Sequence, residues 1–338
     1  MADDSPKYGA RRLEGETDLQ AWDRFVAESP QANPFSTWAW LANAGAIVRA
    51  ETEIWVVTKG DVWVAGVPLT SRRLGGRWQL GLPLSAYNTV AYRPPPSSDP
   101  ASVTAEHLGV THTLIDATRG RLRNMSMMLS PTIVDVRPWI WSGWKAKPRY
   151  TYVLDVTGPL RLRSSVRPSV RKCQEAGMTV DTTWDLDAFC PMFEETRERQ
   201  GFAVRLSLAD FRRLADALHG EGLAKMGIGR TAEGEPAAGV IQLAIPGTPV
   251  CFHWLAGTTS RHLTSGASAW LMAETAVEIG RRGHRSWDLC GADIPSVARF
   301  KGYLGGALTA YFEVDAPRGA IESAYGALKR LRRSLRRP

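Results

Sequence analysis

Two β-branched and aromatic runs, Ile54-Trp-Val-Val-Thr58 and Val62-Trp-Val-Ala-Gly-Val-Pro-Leu69, flank Lys59-Gly60-Asp61, and that turn chemistry predicts a β-hairpin. Upstream, Asp18 is placed to cap a helix that carries Leu19, Trp22, Phe25 and Val26 on one side. The aromatic segment Asn33-Pro-Phe-Ser-Thr-Trp-Ala-Trp-Leu41 follows. A proline run at 94–100 breaks the pattern, after which 101–117 is compatible with a helix and 122–129 and 150–156 with strands.

The second half is more regular. Ser207-Leu-Ala-Asp210 has the form of a capping box, and Leu208, Phe211, Leu214 and Leu218 recur at helical spacing until Gly220. Strands are expected at 238–245 and 250–256 around the turn Pro246-Gly-Thr-Pro249, then a loop at 257–266 and a helix at 267–282. In that helix Trp270, Ala273, Val277 and Gly280 share a face, with Met272, Ala276 and Ile279 beside it, so broad burial against a sheet is expected. Gly283 stops it, and Ser286-Trp-Asp-Leu-Cys290 reads as a short buried strand. The unit from Val250 to Cys290 is therefore β–loop–α–β.

A length of 338 residues, 44% of them hydrophobic, suggests two domains with cores of their own. We place the first at 1–148 and the second at 149–316. No run of about 20 apolar residues is present and the acidic start is unlike a signal peptide, so a cytoplasmic protein is expected. The net charge of +8 is concentrated at 326–338, where six basic residues stand without an acid. There Ile321, Tyr325, Leu328, Leu331 and Leu335 repeat at helical spacing, predicting a basic amphipathic helix at 317–338. Its apolar stripe would either pack back on the first domain or bring the protein to the inner face of a membrane.

Four separated cysteines make neither a zinc knuckle nor a redox pair. HExxH, the P-loop, GxSxG and GxGxxG are all missing, and the six histidines are scattered. His253 and His284 lie in apolar stretches and are expected as hydrogen-bonded core residues.

What remains is an order of motifs. Tyr150-Thr-Tyr-Val-Leu-Asp-Val156 precedes a basic segment, Arg161-Leu-Arg-Ser-Ser-Val-Arg-Pro-Ser-Val-Arg-Lys-Cys-Gln-Glu-Ala-Gly177. Arg199-Gln-Gly-Phe202, Phe252-His-Trp254, Ser265-Gly-Ala-Ser268, Trp287-Asp-Leu-Cys-Gly291 and Phe300-Lys-Gly-Tyr-Leu-Gly-Gly306 follow. In that order they resemble the Fem family of aminoacyltransferases within the GNAT superfamily, while 1–148 match only through the Asn33-Pro-Phe35 segment and the strand pattern. The sequence lacks a long coiled-coil arm, and Pro168 interrupts its basic helix.

The resemblance implies an α/β chain of two tandem GNAT-like domains, each a mixed, largely antiparallel sheet flanked by helices. It implies transfer of an amino acid from an aminoacyl-tRNA to an amine acceptor such as a peptidoglycan precursor, with no cofactor and no metal. Lys301 is the catalytic candidate by that resemblance, and by its position it could aim a charge at a developing oxyanion. The substrate-binding candidates are Arg167, Arg171, Lys172, Trp254, Ser265, Gly266 and Tyr303. Asp288 is assigned to structural support, with Arg299 or a backbone turn as its partner. Pro168 would open the basic helix, leaving Arg167 at the cap and Arg171 and Lys172 within it. Two other readings stay open. One is a GNAT N-acyltransferase taking an acyl-CoA or acyl-carrier donor, against which Thr264 stands where that pattern has glycine. The other is a non-catalytic GNAT-like binding module.

Overall fold

The computed structural model describes residues 8–74, 77–79, 81–121, 125–201 and 206–317. The expected tail helix lies outside the described residues from 318 onward, as does Phe202.

A smaller sheet holds β1 (Tyr8–Arg12), β2 (Glu51–Lys59), β3 (Val62–Leu74) and β4 (Arg77–Gln79) in that order, with β5 (Ala91–Tyr92) also pairing β3. Every pairing in it is antiparallel. The expected hairpin is β2–β3, turning at Gly60 with φ 59°. Around this sheet lie α1 (Gly15–Glu28), α2 (Trp38–Val48), α3 (Pro100–Thr118) and the short α4 (Arg137–Trp141). Asp18 does not cap α1. It sits inside the first turn, where it accepts the Glu14 N–H at 3.0 Å and pairs with Arg11 at 2.6 Å. The cap of α3 is Asp99, which accepts the Ser102 N–H at 2.8 Å.

The larger sheet has the order β6 (Ser126–Met128), β13 (Ala307–Asp315), β7 (Lys145–Asp155), β12 (Ser286–Asp288), β11 (Val250–Thr258), β10 (Pro236–Leu243), β9 (Ala224–Arg230) and β8 (Thr179–Asp181). Among the described strands of this sheet only β11 and β12 run parallel, as their crossover through a helix requires. The helices of this half are α5 (Arg167–Glu175), α6 (Leu186–Gln200), α7 (Leu208–Gly220), α8 (Ala267–Arg281) and α9 (Pro295–Tyr303). Ser207 caps α7 by accepting the Asp210 N–H at 3.0 Å. Residue 148 falls inside β7, and β6, from the first half of the sequence, joins the larger sheet through β13.

The larger sheet is covered on both faces. A Cβ at Gly239 would strike Phe189 of α6, whereas one at Gly229 would strike Trp270 of α8, so neighbouring strands present glycines where each helix comes close. The α8 face buries Trp270, Leu271, Met272, Ala276 and Ile279 with Trp287 and Cys173. Val277, expected on the buried face, is 36% exposed, because the burial stripe runs through Thr275, Ala276 and Ile279. The opposite face continues into the first half of the chain. Phe35, Trp40 and Tyr87 pack edge-on against Phe252, Trp254 and Tyr311, forming one aromatic core across both sheets. Two indoles buried there also have partners, Trp22 on the Ser36 carbonyl at 2.8 Å and Trp40 on the Ser85 hydroxyl at 2.9 Å.

Candidate active site

The parallel pairing of β11 and β12 covers only three residues, ending at Phe252 opposite Asp288. Beyond it β11 continues to Thr258, while the other chain turns through Cys290 and Gly291, with φ 53° and 86°. The two strands part here. At the same level β11 carries a bulge: Gln242 faces His253 and Ile241 faces Leu255, leaving Trp254 as the extra residue. A parted strand pair beside a bulge, with a non-glycine residue in the left-handed region, is the kind of irregularity that collects at functional sites.

Asp288 is buried at the base of this opening. One carboxylate oxygen accepts from the Thr151 hydroxyl at 2.7 Å and the Cys290 N–H at 2.8 Å, and the other from the Tyr87 hydroxyl at 2.7 Å. Burial raises its pKa above the usual aspartate range, and these three donors oppose that rise. Its partners are thus Tyr87, Thr151 and a backbone turn, and not Arg299. Tyr87 comes from the other half of the chain, a link that no local sequence signal announces.

Lys301, in the last turn of α9, is also buried. Its ammonium donates to the carbonyls of Leu289 at 2.5 Å, Cys290 at 3.3 Å and Gly291 at 2.7 Å. All three N–H directions have acceptors, so the side chain fastens the turn that follows β12 and does not project a charge into solvent. Burial draws its pKa below the ordinary lysine value. The Cys290 thiol is pushed well upward, first by burial and then by Asp288, which makes it a poor source of thiolate.

Among the histidines, His284 is bonded as expected, Nδ1 lying 2.7 Å from the Thr248 carbonyl. His253 differs. Its Nδ1 is buried without a partner, its ring lies 5.8 Å from that of Trp287, and burial lowers its pKa to about 3. It is a neutral imidazole at the bulge. Trp254 contributes its ring to the aromatic core, with its indole N–H on the Leu84 carbonyl at 3.2 Å.

Of the remaining candidates, all but Tyr303 lie on α5 or at the head of α8. Gly266 caps α8 with φ 88°, and a Cβ there would lie 2.5 Å from the Cβ of Ser169 and 3.1 Å from its backbone. Ser265 accepts the Ala267 N–H at 3.2 Å, and its carbonyl accepts from the Cys173 thiol at 3.4 Å. The first turn of α5 therefore sits on the head of α8. Pro168 lies in that turn, Arg167 donates to the Leu162 carbonyl at 2.9 Å, Arg171 pairs with Glu175 at 2.7 Å, and Lys172 is exposed. Tyr303 lies under the Arg163 guanidinium, 4.6 Å from the ring centre. Ser265 and Gly266 meet α5 through Cys173 and Ser169, the basic candidates lie on that same helix, and Lys301 and Asp288 support the turn after β12. Among the described residues no group of histidines, cysteines and acids is arranged to hold a metal, and no helix is long and apolar enough to cross a membrane.

Residues 161–302 match the family described as the acetyltransferase (GNAT) domain. No curated protein sequence matches the chain. Its fold is similar to that of a solved FemX, with a TM-score of 0.69 at 13% identity over 89% of this chain and 96% of that one. L-PGS from Bacillus licheniformis superposes with a TM-score of 0.55 at 12% identity, covering 94% and 96% of the two chains. A tandem GNAT protein from the clavulanic acid biosynthesis pathway gives 0.50 at 14% identity, covering 93% and 100%. The GNAT match thus lies across the parted strands, and the fold shared with FemX and the tandem GNAT protein extends over both halves of the chain.

Proposed function

We propose that the protein is a Fem-like acyltransferase of the GNAT superfamily, which takes its acyl group from an aminoacyl-tRNA and delivers it to an amine, with a peptidoglycan precursor as the acceptor class. The observation that supports this donor is the seating of α5 on α8. The N-terminus of a helix is a ready site for a pyrophosphate, because its free N–H groups and dipole favour anions. Here Ser169 lies against Gly266 and Ser265 takes the Ala267 N–H, so a CoA pyrophosphate would have to displace protein from that position. The same helix turns Arg171 and Lys172 outward, where they can meet nucleic-acid phosphates.

The chemistry asks little of the protein. The acceptor nitrogen attacks the ester carbonyl, a C–N bond forms, the C–O bond to the tRNA ribose breaks, and the proton lost by the amine passes to the departing oxygen. Since the ester is already activated, orientation and charge stabilisation suffice. In this reading Asp288 and Lys301 are positioning residues that fix the turn beside the bulge.

The test is transfer by the purified full-length chain from a pool of radiolabelled aminoacyl-tRNAs, and separately from acyl-CoAs, to cell-wall precursors bearing a free amine. Transfer from tRNA with none from CoA supports the reading. Transfer from acyl-CoA alone replaces it with a GNAT N-acyltransferase.

A further inference from the structure

On the α8 face of the larger sheet, the C-terminal half of α8 with β8, β9 and β10 lines a half-open cavity of about 480 Å³. Gln242, Thr275 and Arg282 line it, and each has buried polar atoms without a partner: Gln242 Oε1, Thr275 Oγ1, and both Nε and Nη2 of Arg282. Gln242 is 4% and Thr275 3% exposed. Buried groups of this kind cost stability when left unmade, and three sharing one cavity point to a common partner.

The chemistry of the lining specifies that partner. Nε and Nη2 form one edge of the guanidinium, where two parallel N–H groups match the two oxygens of a carboxylate. An amide and a hydroxyl opposite can both donate and accept. Around them Lys225, Arg281 and Arg282 stand against Glu274 and Glu278, an excess of one positive charge. That balance suits a monoanion, whereas a polyphosphate would meet two carboxylates. Arg282 lies about 24 Å along α8 from Gly266, so the guanidinium that would hold the carboxylate is far from the head of α8 where a donor phosphate would sit.

We propose that the cavity binds a small carboxylic acid that also bears an amino or hydroxyl group, its carboxylate on the Arg282 edge and its second group on Gln242 and Thr275. Calorimetric titration of the full-length chain with alanine, glutamine and lactate, with inorganic phosphate as contrast, tests it. At least one of the acids should bind saturably and more tightly than phosphate. Arg282→Met should weaken that binding about 10–100-fold, the range for losing hydrogen bonds to a charged group. Gln242→Leu and Thr275→Val should each weaken it less, and the melting temperature should not fall, because each removes an unpartnered atom. These two variants carry the test if Arg282→Met does not fold. Absence of saturable binding by every acid, tighter binding of phosphate, or an affinity unmoved by the lining substitutions would overturn the proposal.

Discussion

Gly266 at the head of α8 and Ser169 in the first turn of α5 are in such close contact that any side chain on the glycine would overlap the serine. The contact joins the basic helix to the helix that begins beside the parted strands. It also makes the glycine doubly necessary, because its φ of 88° is one that other residues adopt only with strain.

Gly266→Ala should therefore lower stability by about 1–3 kcal/mol, the cost of an enforced left-handed residue, and overlap would add to it. Thermal unfolding measures the loss. Ser169→Gly in the same chain should restore part of it, because the nearest clash is with the serine Cβ. A Gly266→Ala protein that melts like wild type would show that α5 does not press on α8 as described.

Lys301 yields a prediction that separates two roles. With its ammonium removed, three carbonyls in the turn after β12 lose their donor. Lys301→Met should destabilise the protein by about 1–3 kcal/mol, the cost of leaving buried acceptors unsatisfied. Turnover by the fraction still folded should fall because the turn is no longer fixed. Wild-type melting combined with lost turnover would instead place Lys301 against the substrate.

Much of this architecture is legible in the sequence where local chemistry decides it. Ser207 and Asp210, the Gly60 turn and the β11–α8–β12 unit follow from capping, φ preference and periodicity. Other elements are not. Ala224–Arg230 contains Gly227 and Gly229, the second placed for the close approach of Trp270, which hides a strand behind a composition unlike one. The site is harder still to read, since Tyr87 and Asp288 are 201 residues apart and meet only through the tertiary fold. Lys301 is conspicuous between Phe300 and Gly302, yet sequence cannot say whether a lysine stem ends in water or among carbonyls. Orphaned atoms such as His253 Nδ1 are a property of packing alone.

His253 makes stability depend on acid. Its folded pKa of about 3 lies below the ordinary value of 6.5, so between these values the unfolded chain binds the extra proton. Stability is then fully present above about pH 6.5 and declines as pH falls toward 3. With the ring partly exposed, a loss of about 3 kcal/mol over that window is expected. Denaturant unfolding from pH 7 to pH 4 should show the decline, and His253→Leu should flatten it. A variant with the same acid limb as wild type would mean that other groups cause it.

The basic face of α5 offers the sharpest test of the donor. Among the described residues Arg171 is tied to Glu175, in a pair whose side chains are 79% and 62% exposed, and such surface pairs hold with less than about 1 kcal/mol. Releasing Arg171 to a phosphate thus costs little, and Glu175→Gln should strengthen tRNA binding by freeing it in advance. Each phosphate contact to a single strand contributes about 0.7 to the slope of log affinity against log salt. Arg171→Ala and Lys172→Ala should each weaken charged-tRNA binding and reduce that slope by about this amount, while acyl-CoA binding, if any is measured, should not change. If both substitutions leave the slope where it was, nucleic acid does not run over α5, and the donor must approach the parted strands from another side.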